Sequence, residues 1–276
     1  MNSESFKMSL KLILQGVSDA ACFELMSEAL DKQEFLFVKE FCDPSWTFGA
    51  SKPNYTSDFV TALLFAQMQD YHCDLAPVRF LCDNFNIDVN SVSVTSHSLL
   101  DVALAYCDPE VAKYLVKLGA NPTLKTGMKE GKYHYVLRTA PKGNLIEIFD
   151  YMFTLGIEVD YDALPYAVFH IGEDSAEIIS WIVEHGHGEY AGDTPFHAEE
   201  YLLRDVVVSA IRKEGFRSSV WLDKIDALLR TGGIVANPVV ENDYGRPMRL
   251  IEYVKLQAKN YPDTAKKVLK ILKKYD

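Results

Sequence analysis

Small residues recur along this chain at one fixed interval, and that recurrence limits the fold more than any other feature. Ala66, Ala103 and Ala140 are separated by 37 residues and then 37 again, and Gly119 and Gly156 by 37 as well. Two different markers sharing one interval imply a structural unit used repeatedly. A unit of this size cannot bury its own apolar face, so its copies must stack on one another.

The clearest copy spans residues 98–121. Residues 98–106 and 111–118 read as two short helices joined by a tight turn. Asp108 is placed to cap the second helix, and Pro109 suits its first position, where the missing N–H is no loss. Leu100 and Ala103 share a face of the first helix, and Val111, Tyr114, Leu115 and Leu118 a face of the second. Gly119 marks the stop, because a left-handed residue there costs glycine little. An earlier copy opens at 61–66 and closes through 78–81 and 88–90; later ones occupy 137–156 and 163–186. Beyond 186 the pattern loosens. Residues 201–208 begin a longer first helix, Leu222, Ile225, Leu228 and Leu229 line a second, 245–248 open a degenerate unit, and 265–275 form a final amphipathic helix. Before the repeats, Asp19 suits the cap of a helix reaching Leu30, and a second helix fits 34–41, stopped by Cys42, Asp43 and Pro44.

The segment 98–121 resembles an ankyrin repeat. That family has a T-P-L-H-x-A start, a V-x-x-L-L core and a G-A-D/N end. Leu100 and Ala103 match the start, Val111, Tyr114 and Leu115 the core, and Gly119, Ala120 and Asn121 the end. The resemblance extends over 56–276 and is strongest over 61–186. It implies an all-α, ankyrin-type helical solenoid of about six helix pairs, continuous over 56–276, with a helical N-terminal cap at 1–55. The family repeats about every 33 residues, so the longer interval here suggests about four extra residues in each connection. The resemblance further implies a non-catalytic protein–protein interaction module, an adaptor or inhibitor, binding through its concave face and inter-repeat fingers. The alternatives are a secreted bacterial or viral effector acting on host proteins, and an enzyme built on a solenoid scaffold.

Charge narrows the partner. The net charge is -11; residues 254–276 carry seven lysines against Asp263 and Asp276, a local +5, which leaves -16 for 1–253. So acidic a body repels phosphate backbones, so no nucleic acid is expected on the main surface and a basic protein partner is favoured. The lysines suit the solvated face of a last helix; contact with anionic lipid is the other reading. No apolar run is long enough to span a membrane. The short apolar patch at 8–14 is interrupted by Lys11 and reads as a helix start rather than a secretion signal. A cytoplasmic protein is expected, or one delivered into a host cell. The five cysteines, Cys22, Cys42, Cys73, Cys82 and Cys107, fit no metal or redox spacing and read as free buried thiols in a reducing compartment.

The connections carry the candidate partner-binding residues. Residues 121–135 form a basic finger with Lys125, Lys129, Lys132, Tyr133 and Tyr135. A glycine-rich finger at 185–193 holds His187 and Tyr190, and a third at 239–244 ends in Tyr244. Tyrosine offers large contact area with a polar handle; packing on the next helix is the competing reading for each. No catalytic residue, metal or cofactor is expected. His185, His187, Glu189 and Asp193 lie in a glycine-broken run, whereas zinc sites need a rigid frame. His72 and Cys73 lack a visible third group for a nucleophile pair. No phosphate loop, nucleophile elbow or H-E-x-x-H occurs. Glu173 with Asp174, and Glu199 with Glu200, suit helix starts. Trp46, Trp181 and Trp221 read as core or cap anchors.

Overall fold

The computed structural model describes residues 19–41, 57–69, 73–128, 131–140, 145–171, 175–186, 199–212, 218–230, 234–241 and 246–276. Among these residues lie fourteen helices and one two-stranded antiparallel hairpin. The chain divides into two compact units, Met1–Lys129 with Thr139–Lys142, and Glu130–Arg138 with Gly143–Asp276. No described helix is long and apolar enough to cross a membrane.

The first unit contains three helix pairs: α1 (Asp19–Asp31) with α2 (Phe35–Phe41), α3 (Ser57–Gln69) with α4 (Leu75–Asn84), and α5 (Leu99–Tyr106) with α6 (Pro109–Lys117). First helices pack on first helices, α1 on α3 and α3 on α5; second helices do the same, α2 on α4 and α4 on α6. The α1–α2 pair therefore stacks in the manner of the repeats that follow it. Leu63, Leu64 and Met68 of α3, with Leu99, Leu100 and Val102 of α5, are fully buried, each side chain contributing about 1.5–3 kcal/mol. Phe35 of α2 stacks on Phe80 of α4 with ring centroids 4.7 Å apart.

Local chemistry sets these boundaries. Ser98 and Asp101 form a reciprocal capping box at the start of α5, each side chain bonded to the other's backbone N–H. Asp108 caps α6 through the N–H of Glu110, with Pro109 in the first turn. Gly119, Gly156 and Gly186 each follow a second helix with φ of 99°, 74° and 85°, the left-handed stop that their positions require.

The second unit contains α7 (Lys132–Thr139), α8 (Leu145–Thr154), α9 (Ala163–His170), α10 (Ser175–His185), α11 (Glu199–Arg212), α12 (Ser218–Arg230), the hairpin β1 (Val239–Glu241) and β2 (Pro247–Arg249), α13 (Leu250–Gln257) and α14 (Pro262–Tyr275). Second helices again stack, α8 on α10, α10 on α12 and α12 on α14, and α11 packs on α13. Tyr133, Phe149 and Trp181 pack edge-to-face or tilted, with centroids 4.9, 5.7 and 5.1 Å apart. Two charged groups act here as structural pins, Asp160 half-buried and Lys224 buried. Asp160, from the connection after α8, accepts hydrogen bonds from the N–H groups of Tyr133 (2.7 Å) and His134 (3.2 Å). It thereby caps α7 from a distant stretch of chain. Gly131 permits this approach, because a Cβ there would overlap the Asp160 carboxylate. Lys224 of α12 donates to the carbonyls of Val168 and Ile171 (2.9 Å to the latter), satisfying the C-terminus of α9, and its ammonium lies 4.6 Å from the Trp221 ring.

Three expectations are corrected. The 37-residue interval is not a uniform period. First helices α5, α7 and α9 begin at 99, 132 and 163, spacings of 33 and 31; second helices α6, α8 and α10 begin at 109, 145 and 175, spacings of 36 and 30. The extra residues between Gly119 and Gly156 lie in the turn between α7 and α8, not in the connection between pairs. Ala140 falls after the end of α7, whereas Ala103 sits inside α5. A buried alanine is accepted in either place, so its spacing misleads. Residues 247–249, read as part of a degenerate repeat start, instead form β2, paired with β1 through Val240 and Met248. Finally, Cys73 and Cys107 are joined in a disulfide, with Cα atoms 5.1 Å apart. The two lie 34 residues apart, at equivalent turns of consecutive helix pairs, and stacking brings those turns together. Cys22 and Cys82 are free thiols; Cys42 and Trp46 lie outside the described residues.

Candidate protein-binding groove

The connection 85–98 in the first unit is a stiff finger. Ser91 N–H donates to Asp88 O, and Asn90 N–H to the Asp88 carboxylate. Ser93 N–H donates to His97 O, Ser96 N–H to Ser93 O, and Leu99 N–H to Ser91 O. Val92 and Ser98 form a single antiparallel bridge. Ser96 turns the tip with φ of 64°, and Thr95 Oγ1 hydrogen-bonds both Ser93 Oγ (2.9 Å) and His97 Nδ1 (3.0 Å). Asn90 then ties this finger to the next connection. Its Oδ1 accepts from Asn121 N–H at 2.7 Å and its Nδ2 donates to Gly119 O at 3.3 Å.

This scaffolding holds two apolar side chains in solvent. Val92 is about half-exposed and Val94 fully exposed. They line a groove of about 840 Å³ together with Ala62, Phe65 and Ala66 of α3 and Phe23 of α1. Thr61, Gln69, Ser91, Ser93 and Thr95 supply its polar lining, and Asp88 is the one charged residue among the described lining residues. An apolar slot with a polar rim and a single carboxylate suits a segment of another protein better than a charged small molecule.

A second depression, of about 600 Å³, lies between α4 and α6. Several of its polar groups pair with one another. Tyr114 donates to Asp83 at 2.6 Å, the Arg79 guanidinium lies 5.3 Å from the Tyr114 ring centre, and Lys113 pairs with Glu110 at 2.8 Å. Burial and the neighbouring Asp83 hold the Tyr114 phenol well above its ordinary range.

The residues singled out from the sequence do not gather into one site. Lys125 is exposed in the connection between α6 and α7, and Lys132 is half-buried at the first position of α7. Lys129, His187, Tyr190 and Tyr244 lie outside the described residues. Tyr133 and Tyr135 require correction: they belong to α7, not to a finger, and both are buried. The Tyr133 hydroxyl donates to Ile157 O at 3.3 Å inside the aromatic cluster. A tyrosine two residues past a glycine reads equally as loop tip or first turn, and here the cap from Asp160 makes it the first turn.

His185, the described member of the candidate metal-ligand run, is committed to structure. His185 stacks on Trp181 with centroids 4.0 Å apart and bonds the Trp181 carbonyl through Nδ1 at 2.8 Å. Trp181 donates to Asp150 at 2.6 Å. Among the described residues no group of three or more His, Cys, Asp or Glu could hold a metal ion. Asp70, His72, Glu173, Asp174, Glu189 and Asp193 are outside the described residues. Burial raises the Asp160 carboxyl above its ordinary value, against the pull of the two backbone N–H groups and His134, yet its bonded oxygen is aimed at the α7 backbone. The groove residues Phe23, Ala62, Phe65, Val92 and Val94 are not evident from sequence alone. The one signal was a pair of valines two apart in an otherwise Ser/Thr-rich stretch.

No protein-family model matches the sequence, and no curated protein matches it. Solved structures do. The ankyrin repeat domain of human ASB11 aligns at 16% identity over 91% of this chain and 97% of its own, with a TM-score of 0.51. An ankyrin repeat protein, EF0377, aligns at 19% identity over 77% of this chain and 97% of its own, with a TM-score of 0.48. With the paired helices, the stacking of like on like and the left-handed glycine stops, the first of these likenesses identifies the fold: it is that of an ankyrin-repeat domain.

Proposed function

We propose that this chain is a non-catalytic protein-binding module, an adaptor or inhibitor in the cytoplasm, whose partner docks in the groove between α1, α3 and the finger 85–98. The observation that carries the reading is Val94, a fully exposed aliphatic side chain held at the tip of a finger with several hydrogen bonds. Ordering an exposed valine has no benefit to a monomer, whereas a preorganised apolar wall lowers the entropy cost of binding. The partner segment is apolar along Ala62 and Ala66. It carries a cation opposite Asp88, in keeping with the net charge of -11. The non-catalytic part of the reading is supported by Asp160 and the buried Asp101 and Lys224 being spent on helix ends.

Affinity capture with the full chain as bait, followed by mass spectrometry, tests this. A stoichiometric partner retained by wild type should be lost with Val94→Asp and with Ala62→Arg. Asp88→Lys should weaken it and reduce the salt dependence of association. Val94 and Ala62 are exposed, so Val94→Asp and Ala62→Arg should keep the wild-type circular dichroism spectrum and melting temperature. Undiminished capture by both variants would move the site elsewhere, and Lys125→Glu would then test the basic connection.

A further inference from the structure

We propose that the Cys73–Cys107 bond is a reversible redox staple that sets the geometry of this groove, an inference that rests on the groove being the binding site. The two cysteines hold matching places in consecutive helix pairs. Each stands immediately before the aspartate that precedes a second helix, Cys73 before Asp74 and α4, Cys107 before Asp108 and α6. Their Cα atoms are 5.1 Å apart, within the span of a disulfide. Cys107 is also the residue that ends α5, with its N–H on Ala103 O.

The bond therefore joins elements that line the groove. Helix α3, which leads toward Cys73, supplies Thr61, Ala62, Phe65, Ala66 and Gln69. Helix α5, which ends at Cys107, continues from the finger that presents Val92 and Val94. Closing a loop with a sequence separation of 34 shifts the folding equilibrium by roughly 500-fold on the chain-entropy account. That leverage acts between two helices packed on each other through buried apolar side chains.

The chemistry is selective and balances. Cys22 is buried, and burial with the adjacent Asp83 pushes the Cys82 thiol up to about 11, which disfavours the Cys82 thiolate. Cys73 is half-buried and Cys107 buried. A thiolate of a small dithiol attacks Cys73 Sγ, the S–S bond breaks, and Cys107 leaves as a thiolate that takes a proton. The second thiol of the reductant then attacks the mixed disulfide and releases Cys73. Two electrons pass to the protein and the reductant closes as a cyclic disulfide. A glutathione-type disulfide reverses this by two exchanges, leaving two reduced glutathione molecules.

The test uses the full chain equilibrated in oxidised glutathione or in reduced dithiothreitol. Alkylation with mass spectrometry reads the thiols, and hydrogen exchange reads the groove. Cys73 and Cys107 should be protected together in the first buffer and labelled together in the second. Amides of 61–69 and 91–98 should exchange at least about tenfold faster when reduced. Cys73→Ser should match reduced wild type in both buffers, and Cys107→Ser serves as the second variant if the first is poorly folded. Labelling of both cysteines after oxidised glutathione, or equal exchange in the two states, overturns the proposal. Failure of the groove reading is separable: it appears as undiminished capture by Val94→Asp with the exchange contrast intact.

Discussion

Asp160→Asn separates two effects that the wild-type carboxylate exerts together, capping and charge burial. One carboxylate oxygen accepts from Tyr133 N–H and His134 N–H; the other is buried with no partner among the described residues. Alanine at 160 removes both acceptor contacts. An unmet buried N–H costs about 1–3 kcal/mol and loss of a cap about 1 kcal/mol. Relief of the carboxylate's desolvation offsets part of this, so Asp160→Ala should destabilise by about 2–3 kcal/mol. Asparagine keeps an acceptor oxygen and has no charge to bury, and should lie within about 1 kcal/mol of wild type. The difference between wild type and Asp160→Asn then depends on pH with a defined sign. Burial raises the folded pKa above the ordinary value of 3.8, so above 3.8 the folded state holds the proton more tightly than the unfolded chain. The stabilisation from Asp160 is complete below 3.8 and is lost as pH rises through the folded value, after which it is constant. Urea unfolding of wild type, Asp160→Asn and Asp160→Ala at several pH values from 4 to 7.5 measures this, because most other titrating groups cancel in the comparison. Wild type gaining stability on Asp160→Asn as pH rises would refute the argument, as would an alanine variant as stable as wild type.

Other perturbations follow from the same geometry. Lys224→Met keeps the aliphatic stem but leaves the carbonyls of Val168 and Ile171 without this donor; it should cost about 2–3 kcal/mol in chemical denaturation. Gly156→Ala meets no atom within 4 Å but must hold φ at 74°. Its cost should be purely conformational, about 1 kcal/mol, with Gly156→Asn milder, as read by thermal melting. Asn90→Ala removes both bonds between the two connections and should raise hydrogen exchange at Asn121 without altering the α5 amides.

The sequence carried the fold further than the site. Asp108, Pro109 and Gly119 act locally, each by a mechanism confined to a few neighbouring residues, and each sits where its chemistry placed it. The helix boundaries at Asp19–Asp31 and Phe35–Phe41 were legible for the same reason. What failed was anything set by distant partners. Tyr133 belongs to a helix because Asp160, 27 residues later, caps it. Cys73 and Cys107 pair because two turns are stacked, and their separation of 34 residues, close to one repeat, signals that only once the stacking is known. The groove is composed of α1, α3 and a finger whose lining residues are ordinary in type, and only their juxtaposition makes an apolar slot. Charge also misdirected attention: the basic stretch at 121–135 draws the eye, yet its tyrosines face the core.

The bonds within the finger 85–98 also divide it into what can be changed and what cannot. Asn90, Ser93, Thr95, Ser96 and Ser98 hold it to the next connection, brace and turn its tip and start α5, whereas Val92 and Val94 project from that frame. A library that randomises 92 and 94 and retains the five frame residues would vary recognition while sparing the stack. The domain thus comes with its own grafting site, two codons wide, where a new specificity can be selected without redesigning the protein that displays it.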